Sequence, residues 1–334
     1  MTKPWRVTIL VIGALLLVVL LVPFLVPIPE LQGTKPVAEL ADPESLFVTV
    51  DGLDVHYKTQ GHGQPALLLL HGFASSVFSW REVMAPFARI GTVVAFDRPS
   101  SGLTERPLEG EWEGTNPYSR EAQADLTVAL MDSLGIDEAV LVGNSAGGTI
   151  AALTALRHPQ RVAALILVDP AIYEEGGAPS WLLPILRSPP IRRIGPLVAR
   201  MIRSQGQRLL GMAWHDPAPI TDEVKRGYEA GFLADNWDKA LWELTLASRP
   251  LDLPDRLREL TLPTLVITGD DDRIVPTELS VRLAAELPNA KLAVLENCGH
   301  VPQEECPREF LEVVEEFLSG LRRPDEGVSA KGET

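Results

Sequence analysis

Ala139-Val140-Leu141-Val142-Gly143-Asn144-Ser145-Ala146-Gly147-Gly148 is the stretch whose reading decides how this chain folds. A short apolar run leads to a serine fenced by glycines, and then to the small-residue start of a helix, Thr149 to Leu156. The pattern is that of a strand turning sharply into a helix with one hydroxyl left at the bend. Such a turn strains the serine and projects its oxygen into a cleft, while Gly143 and Gly147 leave room for a tight approach. Short glycine-serine strings arise by chance, so the strand before and the helix after carry the inference. A nucleophile placed this way needs a base, an orienting acid and an oxyanion hole from elsewhere.

Upstream, Phe47–Val50 and Leu53–Lys58 alternate as strands around an Asp51-Gly52 turn. Ala66–Leu70 is a continuous apolar run, as in a strand buried on both faces, and it ends in His71-Gly72-Phe73-Ala74. A glycine after a buried strand lets a backbone N–H turn toward the cleft, so the Phe73 and Ala146 N–H groups are the expected oxyanion donors. His71 is read as structural, shaping its loop. Thr92–Phe96 is a further strand, followed by Asp97-Arg98-Pro99-Ser100-Ser101-Gly102. Downstream, Ala164–Val168, Thr264–Thr268 and Lys291–Leu295 complete eight apolar runs separated by helical patterns. That alternation predicts an α/β protein with an eight-stranded, mostly parallel sheet flanked by helices. Asp270, Asp271 and Asp272 compete for the orienting acid in the loop after Thr268. His300 stands in a glycine-containing loop past the final strand, where it can reach across to Ser145.

His71-Gly72-Phe73, Asp97-Arg98-Pro99 with Gly102-Leu103-Thr104, and Gly143-Asn144-Ser145-Ala146-Gly147-Gly148 together resemble the α/β-hydrolase superfamily, in its esterase, lipase and C–C hydrolase branch. The likeness runs from about Phe47 to Leu321. Ser100 departs from it, since that branch usually has glycine there. The resemblance maps a Gly-x-x-Asp-x-x-x-Pro pattern onto Gly269, Asp272 and Pro276, which implies Asp272 as the acid, with Asp169 in reserve. Asp270 and Asp271 are left to cap the turn or face water. The order Ser145, Asp272, His300 is that of the fold. The resemblance also implies a helical cap inserted at residues 171–261, between core segments 46–170 and 262–321. Gly72, Ala74, Asn144, Trp237, Trp242, Val275 and Val301 are assigned to substrate contact. No cofactor and no metal are expected.

The charge balance narrows the partners. A net charge of −15 argues against nucleic acid, because no surplus of cations exists to neutralise phosphates. The two cysteines, Cys298 and Cys306, make no metal pattern; one local disulfide or two free thiols are both open. Val7–Val26 is uncharged and apolar, and about 20 such residues match a hydrocarbon core about 30 Å thick. It is read as a single-pass transmembrane anchor. Lys3 and Arg6 put residues 1–6 in the cytoplasm and the catalytic domain outside. Residues 27–45, with Pro27, Pro29, Pro36 and Pro43, are read as an extended stalk, and residues 322–334 as a flexible tail.

The cap region carries Trp181, Trp214, Trp237 and Trp242, a large apolar payload. It also carries Arg187, Arg192, Arg193, Arg200, Arg203 and Arg208, a basic run that is either a solvated face or a lid lying on anionic lipid. The leading expectation is a membrane-anchored serine hydrolase cleaving carboxylic esters of lipid-like or other apolar acids. C–C hydrolysis of the meta-cleavage-product type is the enzymatic alternative. A non-catalytic binding scaffold is disfavoured because no triad member is missing.

Overall fold

Eight strands build one sheet in this computed structural model, which describes residues 3–173, 178–249 and 251–321. They are β1 (Leu46–Val50), β2 (Leu53–Gln60), β3 (Ala66–Leu70), β4 (Thr92–Phe96), β5 (Ala139–Asn144), β6 (Val162–Val168), β7 (Thr264–Gly269) and β8 (Ala290–Leu295). Their order is β1-β2-β4-β3-β5-β6-β7-β8. Only β2 runs against its neighbours; every other pairing is parallel.

Parallel strands are covered on both faces, which is why β3 reads as unbroken leucine. Side chains alternate between the two cores. Leu68, Leu70, Leu141 and Leu167 join one side, packed under the helices Arg120–Ser133 and Ala146–Arg157. Leu67, Leu69, Val142 and Ile166 join the other, with Phe87 of helix Arg81–Phe87 and Phe310 of helix Pro307–Leu321. All four leucines of β3 are fully buried, each contributing about 1.5–3 kcal/mol by transfer from water.

The loop after β4 is built on Asp97. Its Oδ1 accepts from Val77 N–H at 2.7 Å, and its Oδ2 meets His56 Nδ1 at 2.6 Å and Leu103 N–H at 2.7 Å. A Cβ at Gly102 would lie 1.8 Å from that carboxylate, so only glycine fits there. Ser100 keeps a left-handed backbone, φ 78°, without glycine's freedom. Ser100→Gly is therefore expected to stabilise the protein by about 0.5–1 kcal/mol, the left-handed penalty less glycine's entropy. An unchanged urea midpoint would refute this.

Between β6 and β7 the chain leaves the sheet and forms the cap. Its helices include Leu183–Leu186, Pro189–Ser204, Gly206–Ala213, Asp222–Glu229 and Trp237–Ala247. Gly195 lets two of them meet closely, because a Cβ there would lie 2.2 Å from the Trp242 indole. Much of the basic run is turned onto protein. Arg187 bonds Leu246 O, Arg192 pairs with Glu109 and Glu243, and Arg200 pairs with Asp238. These arginines are satisfied within the fold, so they give no support to a lipid-facing lid.

The N-terminal expectations require correction. The apolar run is helical, Lys3–Leu25, but its end is docked on the cap. Pro23 is buried, and Arg193 donates to Pro23 O at 3.2 Å and to Val26 O at 3.4 Å. Among the described residues no helix is long and apolar enough to cross a membrane. The single-pass anchor at 7–26, the cytoplasmic residues 1–6 and the extracytoplasmic catalytic domain are thereby overturned. Nor is residues 27–45 a free stalk. Lys35 N–H bonds Leu233 O at 2.8 Å, Lys35 bridges Ala234, and Lys58 pairs with Asp42 at 2.5 Å. The expected tail, 322–334, lies outside the described residues.

Candidate active site

Ser145 sits where β5 ends and helix Ala146–Arg157 begins, at φ 53° and ψ −120°. The glycines around it answer to space. A Cβ on Gly143 would stand 2.5 Å from Gly147 O, and one on Gly147 would stand 2.1 Å from Leu70 O. Larger residues would push the helix off the sheet and move the serine. Ser145 lines a cavity of about 860 Å³ beneath the cap, together with His300.

His300 and Asp272 meet at 2.7 Å, Nδ1 to Oδ2, with both side chains nearly inaccessible to solvent. The other oxygen of Asp272, Oδ1, accepts from Ile274 N–H at 2.7 Å and Val275 N–H at 3.0 Å. That leaves the ring's far nitrogen, Nε2, available toward the cavity. Asp169, the reserve acid, is fully buried; its Oδ1 accepts from Thr268 Oγ1 at 2.7 Å and Gly269 N–H at 3.2 Å. Burial, and then the charge of neighbouring Asp272, raise the Asp169 carboxyl well above the usual range. Asp169, Asp272 and His300 bring ligand-type atoms within 4.8 Å of one another. Asp272 has already committed both oxygens to hydrogen bonds, an arrangement that can orient the His300 ring, with a second buried carboxyl behind it.

The His300 loop is pinned from several sides. Cys298 and Cys306 are bridged, closing a ring around it. The Glu305 carboxylate accepts from the N–H groups of Gly299 (2.7 Å), His215 (3.0 Å) and Asp216 (2.8 Å), and His300 N–H donates to Ala213 O at 2.6 Å. Cap and core are thus tied together beside the base. A second tie is buried nearby, where cap residue Tyr228 donates to Glu304 and Arg81 of the core pairs with the same carboxylate. Burial pushes Glu304 up to about 7 against the pull of Arg81 and Tyr228.

On the opposite wall, His71 Nε2 accepts from Arg98 N–H at 3.0 Å, and its Nδ1 faces Gly72 O at 2.8 Å. The Arg98 guanidinium also donates to His71 O and Gly72 O, both at 3.1 Å. Burial and the Arg98 charge depress His71 to about 4, which keeps it neutral and fixes this loop. Phe73 is half exposed and lines the cavity beside Ser145. Ala146 opens its helix, where N–H groups lack intrahelical partners and the dipole favours a developing negative charge.

Of the expected substrate contacts, Gly72, Ala74, Asn144, Trp237 and Val301 line the cavity. Asn144 also braces the site, donating from Nδ2 to Val168 O at 3.2 Å and His300 O at 3.1 Å. Two do not line it. Trp242 is buried against Gly195, and the buried Val275 contributes its backbone N–H to Asp272 while Ile274 faces the cavity. Sequence reading missed Arg200, Arg203, Tyr228 and Phe232 of the cap, and Glu30, Leu31 and Gln32 from before the core. Amphipathic spacing in the helix Pro189–Ser204 marks its buried face, but no periodic signal marks residues 30–32.

A family model described as the alpha/beta hydrolase fold matches residues 65–307. The chain is 32% identical over 274 residues to the uncharacterized hydrolase YugF of Bacillus subtilis, covering 81% of this chain and 96% of the relative. It is 31% identical to a 2-hydroxy-6-oxo-6-phenylhexa-2,4-dienoate hydrolase of Burkholderia cepacia, over 82% of this chain and 96% of the relative. Among solved structures, a membrane phospholipase A, described as a bacterial virulence factor, superposes with a TM-score of 0.65 at 27% identity, covering 97% of this chain and all of that one.

Proposed function

The chain belongs to the α/β-hydrolase family, and on that premise we propose that it hydrolyses the carbon–carbon bond beside the ketone of a 2-hydroxy-6-oxo-dienoate-type acid, through an acyl-enzyme on Ser145. The observation that carries this reading is the meeting of Ser145, His300 and the cation Arg203 on one largely apolar cavity. Arg203 lies over the Trp237 and Phe232 rings, 5.4 Å and 6.0 Å from their centroids, and among the described residues no carboxylate pairs with it. The carboxylate of an otherwise apolar acid finds its counter-charge in such a cation.

In this reading His300 Nε2 takes the Ser145 proton as Oγ adds to the ketone carbon. Asp272 holds the ring and stabilises its charged form. The N–H groups of Phe73 and Ala146 receive the oxyanion, at about 3–4 kcal/mol for such a donor. With the substrate in its 2-oxo tautomer, collapse breaks the carbon–carbon bond and passes the electron pair through the conjugated double bond to the 2-oxo oxygen. That oxygen takes its proton from the imidazolium, and water, deprotonated by His300, then releases the second product as an acid.

Ester hydrolysis is the second reading, favoured by the likeness to a phospholipase A over 97% of the chain and by a cavity roomy enough for an acyl chain. Purified protein given 2-hydroxy-6-oxo-6-phenylhexa-2,4-dienoate and a series of p-nitrophenyl esters separates the two. The expected result is a kcat/KM for the dienoate at least roughly 100-fold above any ester. The reverse ranking selects the ester reading, and turnover of neither rejects both.

A further inference from the structure

The wall of the cavity includes residues that precede the catalytic core. Glu30, Leu31 and Gln32 face the same space as Ser145 and His300, although the family match begins only at residue 65. We infer that this strap forms one wall of the substrate site, and that Leu31 is a specificity-determining residue limiting the bulk of the group held there. The inference rests on the cavity being the substrate's, and not on which bond is cut.

Three observations carry it. The strap is fixed along its length. Arg193 holds Pro23 O and Val26 O, Arg200 Nη1 donates to Pro29 O at 2.8 Å, and Lys35 N–H donates to Leu233 O at 2.8 Å. The brace at its centre is itself rigid. Arg200 Nε also donates to Oδ2 of Asp238 at 2.8 Å, and that carboxylate is almost completely buried. Leu31 is also seated in the cap, packed against the cluster of Ala199, Trp237 and Leu241. A side chain anchored behind and open to the cavity in front acts as a stop. Its neighbours Glu30 and Gln32 are exposed and polar, so Leu31 is the apolar contact this segment offers.

The test uses the full chain and alkylphosphonate fluorides, which label the active serine covalently whichever bond the enzyme cuts. Labelling rates of wild type, Leu31→Trp and Leu31→Ala are compared for ethyl and octyl probes. Leu31→Trp is expected to lower the octyl-to-ethyl ratio by about tenfold or more, and Leu31→Ala to raise it. Because the ratio is internal, a loss of folded protein cancels from it. Wild type that labels, with ratios unchanged in both variants, overturns the wall and leaves the site reading standing. Wild type that labels with neither probe overturns both.

Discussion

Ser145→Ala is expected to lower kcat by about four to six orders of magnitude while leaving the melting temperature close to wild type. The first half follows from chemistry, since Oγ is the only atom offered for the acyl bond in the proposed mechanism. The second half follows from local structure. Ser145 stands at the N-terminus of the helix Ala146–Arg157, yet its side chain makes no capping hydrogen bond. Removing the hydroxyl therefore strands no buried partner, and alanine inherits a backbone angle that the glycine packing already imposes. Stopped-flow turnover with a parallel melt measures both. A variant that kept more than about a tenth of wild-type kcat would end the assignment of Ser145 as nucleophile.

Asp272→Asn is expected to cost about 10⁴ in kcat. The surrounding bonds dictate how the new amide must sit. Ile274 N–H and Val275 N–H both donate to Oδ1, so an asparagine keeps its carbonyl oxygen there and turns its NH₂ toward His300 Nδ1. That nitrogen must then accept, which drives the ring proton to Nε2 and leaves no base facing Ser145. Asp169→Asn is expected to lose far less, because Asp169 is bonded to Thr268 and Gly269 and makes no hydrogen bond to His300. Comparing kcat for the two variants decides the acid. A larger loss in Asp169→Asn would hand it the role.

Much of this was legible in the sequence. The runs that became β3 and β6 are apolar at every position, and those of β5 and β7 through their middles, because strands covered on both faces leave little room for polar residues. The loops bearing Ser145 and Asp272 stood out because each follows such a strand, and the His300 loop because it follows the last, half-exposed strand β8. What was misread depended on backbone groups or on partners far along the chain. Val275 contributes through its backbone, which any residue could supply, so its identity carried no signal. Trp242 looked like cavity lining but serves packing, and only the opposing Gly195 could have said so. The apolar run at the N-terminus matched a membrane span in length and composition, yet its end docks onto Arg193, 167 or more residues away. Periodicity has no view of such a contact.

The cap's point of attachment has an evolutionary consequence. β6 and β7 are parallel hydrogen-bonded neighbours, so the chain leaves the sheet after Val168 at one end of the strands and re-enters at Thr264 at the other, in the adjacent strand position. Insertions or deletions in the segment between them, away from residues 213–216 that are bonded to the His300 loop, need not disturb strand register or the Ser145 turn. Descendants of such a scaffold can therefore change diet without relearning their chemistry, with selection acting on the cap for what is admitted and on the core for how it is cut.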